Sequence, residues 1–154
     1  MPSATVIAQL PKSSLVAFRV LHNYEIRLEW DTLLKEAKLT RGCTDARKGA
    51  TSLCVGKPFW GLIGIETEYL TFKEGEVAAV QMINTTAFFK SFSASIRHKD
   101  NENGSLVIYK YRFKAKPIYL RWLFEPIMQF MLRLETGKRL AALSCYLEKI
   151  DSDI

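Results

Sequence analysis

Histidine and cysteine are scarce in this chain, two and three residues in 154, and that scarcity removes much chemistry at once. Cys43, Cys54 and Cys145 are odd in number, far apart and without a C-x-x-C pair. Neither a disulfide framework nor a zinc site is expected, and a reducing compartment is favoured. His22 and His98 stand alone, with none of the H-x-x-x-H, H-x-H or H-x-x-E spacings that would hold a metal. No nucleophile elbow or phosphate loop occurs, so no cofactor is expected and no catalytic residue is assigned. The first ten residues, MPSATVIAQL, lack the basic start and apolar core of a secretory signal, and no lipidation box is visible, which makes the cytoplasm the expected location.

Long apolar runs are missing as well. The greasiest stretch, WLFEPIMQFML from Trp122 to Leu132, is interrupted by Glu125, Pro126 and Gln129 and closed by Arg121 and Arg133. A bilayer-spanning helix needs about 20 apolar residues, so this segment is a core helix, a surface element that lies on lipid, or the wall of an apolar pocket.

What the chain does have is an ordinary globular balance, 48% hydrophobic and 25% charged, with a somewhat generous 12% of aromatics. A length near 150 residues suits one domain with a real core, here residues 1–154. The net charge of +6 is spread along the chain and reads first as solubilising surface charge.

Ala4–Leu10 is a short β-rich run ended by Pro11, and Ser13 or Ser14 then caps a short amphipathic helix carrying Leu15, Phe18 and Leu21 or His22. A second brief helix fits Asn23 to Leu28, and EWDTLLKEAKLT is helix or strand by period alone. From Thr51 the pattern is β. GLIGIETEYLTF and EVAAVQMIN flank a turn at Lys73-Glu74-Gly75-Glu76. AFFKSFSASIRHK and SLVIYKYRFKAK flank DNENG, with Phe92, Ala94, Ile96 and His98 on one side of the first strand. On the second, Val107, Tyr109, Tyr111, Phe113 and Ala115 oppose Lys110, Arg112, Lys114 and Lys116. Beyond Pro117 the chain reads as helix to about Lys149. Strands and helices segregated in this way predict an α+β domain with an antiparallel sheet packed on helix.

Three stretches resemble the START-like, helix-grip superfamily, which includes START lipid-transfer domains, the birch-pollen-allergen family, polyketide cyclases and dehydrases, and coenzyme-Q-binding proteins. They are the opening strand with PKSSLVAFRVLHNYEIRLEWD and Trp30, the meander from Thr51 to Lys116, and YLRWLFEPIMQFMLRLETGKRLAALSCYLEK, which is similar to the closing helix of the bacterial cyclase and dehydrase branch. The pollen-allergen glycine-rich loop is replaced by TRGCTDARKGA, so no phosphate-cradling role is implied there. The resemblance implies a curved antiparallel sheet wrapped around a long C-terminal helix, two short helices after the first strand, and an apolar cavity between sheet and helix.

On the helix, 100° spacing groups Leu123, Ile127, Phe130, Met131 and Leu134 on one face and Glu125, Gln129, Arg133 and Thr136 on another. The second of these predicts the wet side. A shifted stripe of Leu140, Leu143 and Leu147 predicts a local break or twist near Thr136-Gly137, and Pro126 a bend or restart of the helix unless it lies in the first turn. Trp30, Tyr69, Phe92, Tyr109, Tyr111, Phe113, Leu123, Ile127 and Met131 are the candidate ligand contacts, the tyrosines because a buried hydroxyl needs a partner. The loop from Cys43 to Thr51 and GKPFWG, with Phe59 and Trp60, are candidate gates.

The expected function is binding or transport of a hydrophobic small molecule such as a lipid, quinone, sterol or polyketide-like compound. One alternative is a polyketide cyclase/dehydrase-like enzyme, with proton transfer by Tyr109, Tyr111, His98 or Glu68; a wholly apolar pocket would exclude it. Another is a protein- or membrane-surface interaction module. Transient membrane contact and a homodimer are compatible with the greasy helix, whereas nucleic acid is not expected, because the basic strand face carries no interleaved aromatics for stacking.

Overall fold

A computed structural model describes residues 3–31, 34–56, 64–84, 86, 89–116 and 118–150. The chain begins with β1 (Ser3–Leu10), α1 (Ser14–Leu21) and a single turn of helix, α2 (Arg27–Trp30). Six strands follow: β2 (Leu34–Thr40), β3 (Thr51–Gly56), β4 (Gly64–Lys73), β5 (Val77–Met82), β6 (Phe89–Asn101) and β7 (Gly104–Ala115). A 3-10 turn at Ile118–Leu120 leads into α3 (Arg121–Lys149). The ambiguous EWDTLLKEAKLT is resolved by splitting, with α2 ending at Trp30 and β2 starting at Leu34.

All seven strands form one curved antiparallel sheet in the order β1-β7-β6-β5-β4-β3-β2. Register shifts at Leu34/Glu36, Tyr69/Thr71 and Phe89/Ser91 mark bulges or irregularities of the kind that bend a strand and deepen a sheet's curvature. The two expected hairpins occur where glycine takes positive φ, +81° at Gly75 and +131° at Gly104. Ser13 caps α1, its Oγ accepting from the Val16 N–H at 3.3 Å, and the Ser14 N–H donates to Asp100 at 2.8 Å, tying the helix start to β6. Phe18 and Leu21 are buried as predicted, but Leu15 is exposed.

On β7 the alternation holds: Val107, Tyr111, Phe113 and Ala115 are buried, while Lys110 and Arg112 are exposed. Among the described residues the core divides into three clusters. Leu140, Leu143 and Leu147 of α3 pack with Leu10, Trp30 and Val107. Phe89, Tyr111 and Phe113 form a second cluster with Met128 and Leu132 beside it, and Phe18, Ala50, Tyr69 and Ala78 form a third.

The long helix is where the sequence reading fails. α3 runs through Thr136-Gly137 as one element of 29 residues, with no break there and with Pro126 inside it. Its first half is rotated opposite to expectation: Leu123, Ile127, Phe130 and Leu134 are exposed. The predicted wet strip turns inward instead, except for Arg133, which stays exposed, and Thr136 is buried. Glu125 accepts a hydrogen bond from the Ala115 N–H at 3.0 Å, and Gln129 Nε2 donates to the Ser3 carbonyl. The ends of β7 and β1 offer backbone groups that need partners, and the polar strip supplies them. A binary pattern gives the angle between two faces of a helix but not which one the sheet will accept.

Candidate functional site

A cavity of about 140 Å³ lies between the sheet and α3. One part of its wall is apolar, from Ile65, Val80, Phe89, Phe92, Ile96 and Leu132. Another part is polar, and it is built where the chain between α1 and α2 crosses β3 and β4. His22, the residue after α1, places Nδ1 2.8 Å from the Tyr69 hydroxyl. Tyr69 is 2.8 Å from the Tyr24 hydroxyl, which donates to Ser52 Oγ at 3.1 Å, and Ser52 is 3.2 Å from Thr67 Oγ1.

This chain of contacts fixes proton positions. Because the single Tyr24 proton goes to Ser52, Tyr69 donates to Tyr24, and His22 Nδ1–H donates to Tyr69. The lone pair of His22 is then on Nε2, which is buried and has no partner among the described residues. Burial, helped by the Arg27 and His98 charges, lowers the His22 pKa well below the ordinary imidazole value, so the ring is neutral. Burial pushes the Tyr69 hydroxyl well above 10, with Tyr24 adding to the effect. Cys54, also on the wall, has its thiol pushed up by burial and is a poor nucleophile.

Beside this cluster two cations share one carboxylate. Asp31 Oδ2 accepts from Arg27 Nε at 2.8 Å and from Arg139 Nε and Nη2 at 3.1 and 2.9 Å. Arg27 Nη1 also donates to the Leu21 carbonyl at 3.1 Å, and its guanidinium lies 5.2 Å from the Trp30 ring. Burial alone would raise the Asp31 carboxyl, but Arg139 and Arg27 outweigh it and hold the pKa below the usual carboxylate range. Both arginines line the cavity. The triad joins α2 to α3, and it adds two cationic hydrogen-bond donors to the polar side of the cavity.

The structure sorts the sequence candidates into three groups. Tyr69, Phe92 and Tyr109 stand on the cavity wall. Trp30, Tyr111 and Phe113 are buried in the packing, Tyr111 stacked on Phe92 at 6.3 Å with its hydroxyl unpartnered among the described residues and its pKa pushed up to about 12 by burial. Leu123 and Ile127 do not face the cavity, since both lie on the outer side of α3; Met131 is half-buried and off the wall. The helix contributes Leu132 and Arg139 instead. Of the proposed proton-transfer groups, His98 packs edge-on against Phe18 at 5.5 Å rather than on the wall, and Glu68 alternates to the face of β4 opposite Tyr69. The loop before β3 is held down: the Gly49 N–H donates to the Tyr69 carbonyl at 2.8 Å, and the Tyr69 N–H to that of Ala50 at 2.9 Å. The rest of the GKPFWG gate, Phe59 and Trp60 included, lies outside the described residues.

Sequence reasoning missed His22, Tyr24, Arg27, Asp31, Ser52, Thr67 and Arg139 as site residues. The four-residue spacing of Arg27 and Asp31 is a signal that could have found one pair. Nothing local points to Arg139, which comes from 108 residues downstream of Asp31.

The buried histidines carry an acid sensitivity. His98, both of whose ring nitrogens lack partners among the described residues, is lowered by burial to about 4. The unfolded chain therefore takes up its proton first as pH falls, and stability drops between about pH 6.5 and 4, by roughly 3 kcal/mol for His98. Urea unfolding across that range is expected to show the slope, and His98→Leu to flatten it; an unchanged slope in the variant would place the acid sensitivity elsewhere.

No family model matches the chain, and no curated protein matches it in sequence. Solved structures do match. A Thermus thermophilus protein superposes with a TM-score of 0.81 at 11% identity, over 97% of this chain and 99% of that one. The Zhui aromatase/cyclase of a Streptomyces species gives 0.78 at 8% identity, over 97% of this chain and 94% of that one. The di-domain aromatase/cyclase StfQ of the steffimycin biosynthetic pathway gives 0.78 at 9% identity, over 96% of this chain and 51% of that one. Among the described residues no helix is long and apolar enough to cross a membrane, and no three His, Cys, Asp or Glu side chains are grouped to hold a metal ion. With its curved seven-stranded sheet closed by α3, the chain has the helix-grip fold.

Proposed function

We propose that the chain binds or carries a hydrophobic small molecule, of the lipid, quinone, sterol or polyketide-like class, in the cavity between the sheet and α3, and that it works in the cytoplasm. The observation that carries this reading is an apolar space ending on a polar cluster, which gives a ligand both a driving force and an orientation. Apolar ligand surface leaving water contributes about 25 cal/mol per Å². A carbonyl, hydroxyl or acidic group would turn toward Arg27 and Arg139. The volume of about 140 Å³ suits a single ring or short chain. Drug-sized sites need roughly 300–1,000 Å³, so a larger ligand requires the wall to yield, and the half-buried Leu132 with Met128 nearby is the adaptable part.

The test is native mass spectrometry of the purified protein with identification of extracted small molecules, followed by a panel of hydrophobic ligands in thermal shift. Val80→Phe puts a ring into the cavity and is expected to weaken binding at least about tenfold, with overpacking costing the fold no more than about 1–3 kcal/mol. An empty wild-type protein that ignores the whole panel would remove the proposal.

One observation favours a second reading, an enzyme of the cyclase or dehydrase type: the wall is not wholly apolar. A neutral His22 with a free Nε2, backed by the Tyr69–Tyr24–Ser52 relay, suits proton transfer to and from a bound polyketone. Tyr69→Phe distinguishes the two readings. An enzyme is expected to lose about 10²–10⁴ in turnover with ligand affinity little changed, whereas a carrier shows no turnover to lose.

A further inference from the structure

The outer side of α3 carries an anomaly that the cavity does not explain. Trp122, Leu123, Ile127, Phe130 and Leu134 all stand in water, Trp122 at 74% and Phe130 at 68% exposure, and Tyr119 of the preceding turn joins them. At 100° per residue the five helical side chains occupy an arc of about 140° and a length of about 18 Å. Single exposed apolar residues need no explanation, but a contiguous strip of large ones marks a contact surface.

The charges beside the strip select its partner. Arg133 lies within the arc and Lys138 at its edge, both exposed; Glu135, outside the arc, pairs with Lys138 at 3.4 Å, and no acidic residue lies within the arc before Glu148. The two cations border a shallow groove of about 470 Å³ whose other walls are Phe130, Leu134, Gly137 and Ala141. Apolar side chains flanked by cations, with a tyrosine and a tryptophan at one end, match the layered chemistry of a bilayer surface: acyl chains below, anionic head groups above, and aromatic rings at the boundary. A second copy of the chain fits less well, because it would bring together two proteins of net charge +6, each with Arg133 in the strip and no carboxylate between Trp122 and Leu134 within its arc.

We infer that the outer face of the first half of α3 is a docking surface for anionic lipid bilayers. The helix then works on both sides, with Leu132 and Arg139 toward the cavity and the strip toward lipid. The inference does not depend on the ligand reading and stands or falls separately.

Flotation of the full chain with vesicles tests it. Vesicles of phosphatidylcholine containing one third phosphatidylglycerol are expected to bind about fivefold better than phosphatidylcholine alone, the gain of roughly one net interfacial cation once Glu135 offsets Lys138, and high salt is expected to erase the difference. Phe130→Ser with Leu134→Ser should abolish binding to both vesicles. Arg133→Gln with Lys138→Gln should keep weak binding but lose the preference for the anionic vesicle. All four positions are exposed, so circular dichroism and the melting temperature should stay at wild-type values. A chain that remains in solution with both vesicles, or a dimer in solution that Phe130→Ser with Leu134→Ser dissociates, would overturn the inference.

Discussion

Asp31→Asn is expected to destabilise the fold by about 3–5 kcal/mol, the usual consequence of removing one member of a buried ionic group. The substitution preserves size but leaves Arg27 and Arg139, each otherwise turned toward a largely apolar interior, sharing a neutral amide. Asp31 is 2% exposed, so water cannot replace the lost charge without opening the junction between α2 and α3. Urea unfolding near neutral pH measures the effect. Removing all three charges with apolar residues of similar volume should recover much of the loss, because no ion then remains buried without a partner. An Asp31→Asn protein within about 1 kcal/mol of wild type would show that the triad is solvated and contributes little.

The same carboxylate adds a second acid limb to the one set by His98. Because its folded pKa lies below that of the unfolded chain, its contribution is complete above about pH 3.9 and is lost as pH falls through the lower folded value. In Asp31→Asn this steep part of the acid transition should disappear, while the slope from pH 6.5 to 4 remains.

Gly104→Ala is the other substitution expected to act strongly. Gly104 closes the β6–β7 hairpin with φ of +131°, and a Cβ there would lie 2.3 Å from the Leu10 carbonyl oxygen and 2.8 Å from the Pro11 carbonyl carbon. Both obstacles are backbone, so no side chain can swing aside. The strained φ costs about 1–3 kcal/mol, and displacing the β1–α1 connection adds an overpacking cost of about 1–3 kcal/mol. A comparison is available at the neighbouring hairpin. A Cβ at Gly75 would approach no closer than 3.4 Å to Leu15, so Gly75→Ala should show the backbone cost without most of the steric one. Equal losses in the two variants would refute the close-approach argument.

The hairpins and the alternating strands were readable because they depend on local physics. Period-2 patterning from Ser105 to Ala115 and glycine at the turns require no knowledge of the partner surface, and the cavity-wall residues Tyr69, Phe92 and Tyr109 followed from that alternation. Tyr111 and Phe113 share the same face, yet they are closed off by packing; pattern gives the face of a strand, not the depth at which the helix crosses it. Trp30 was correctly read as inward, but the Arg27 guanidinium lies beside its ring.

The site's polar half was out of reach for a different reason. His22, Tyr24, Ser52, Thr67 and Tyr69 meet only because the turn after α1 crosses two strands that come much later in the chain. Each is an unremarkable polar residue until the others surround it. Arg139 looks like surface charge on a helix, and it is the curvature of the sheet that brings it onto Asp31.

The sequence by itself determined the element order, the α+β class, the positions of two turns and the inward face of β6 and β7, because backbone sterics and side-chain periodicity act within a few residues. The tertiary structure alone decided how α3 is rotated. Glu125 and Gln129 could have faced water at little cost, but unpaired backbone groups at the ends of β7 and β1 were better served by them. With those two polar residues turned inward, Trp122, Ile127 and Phe130 were left facing out.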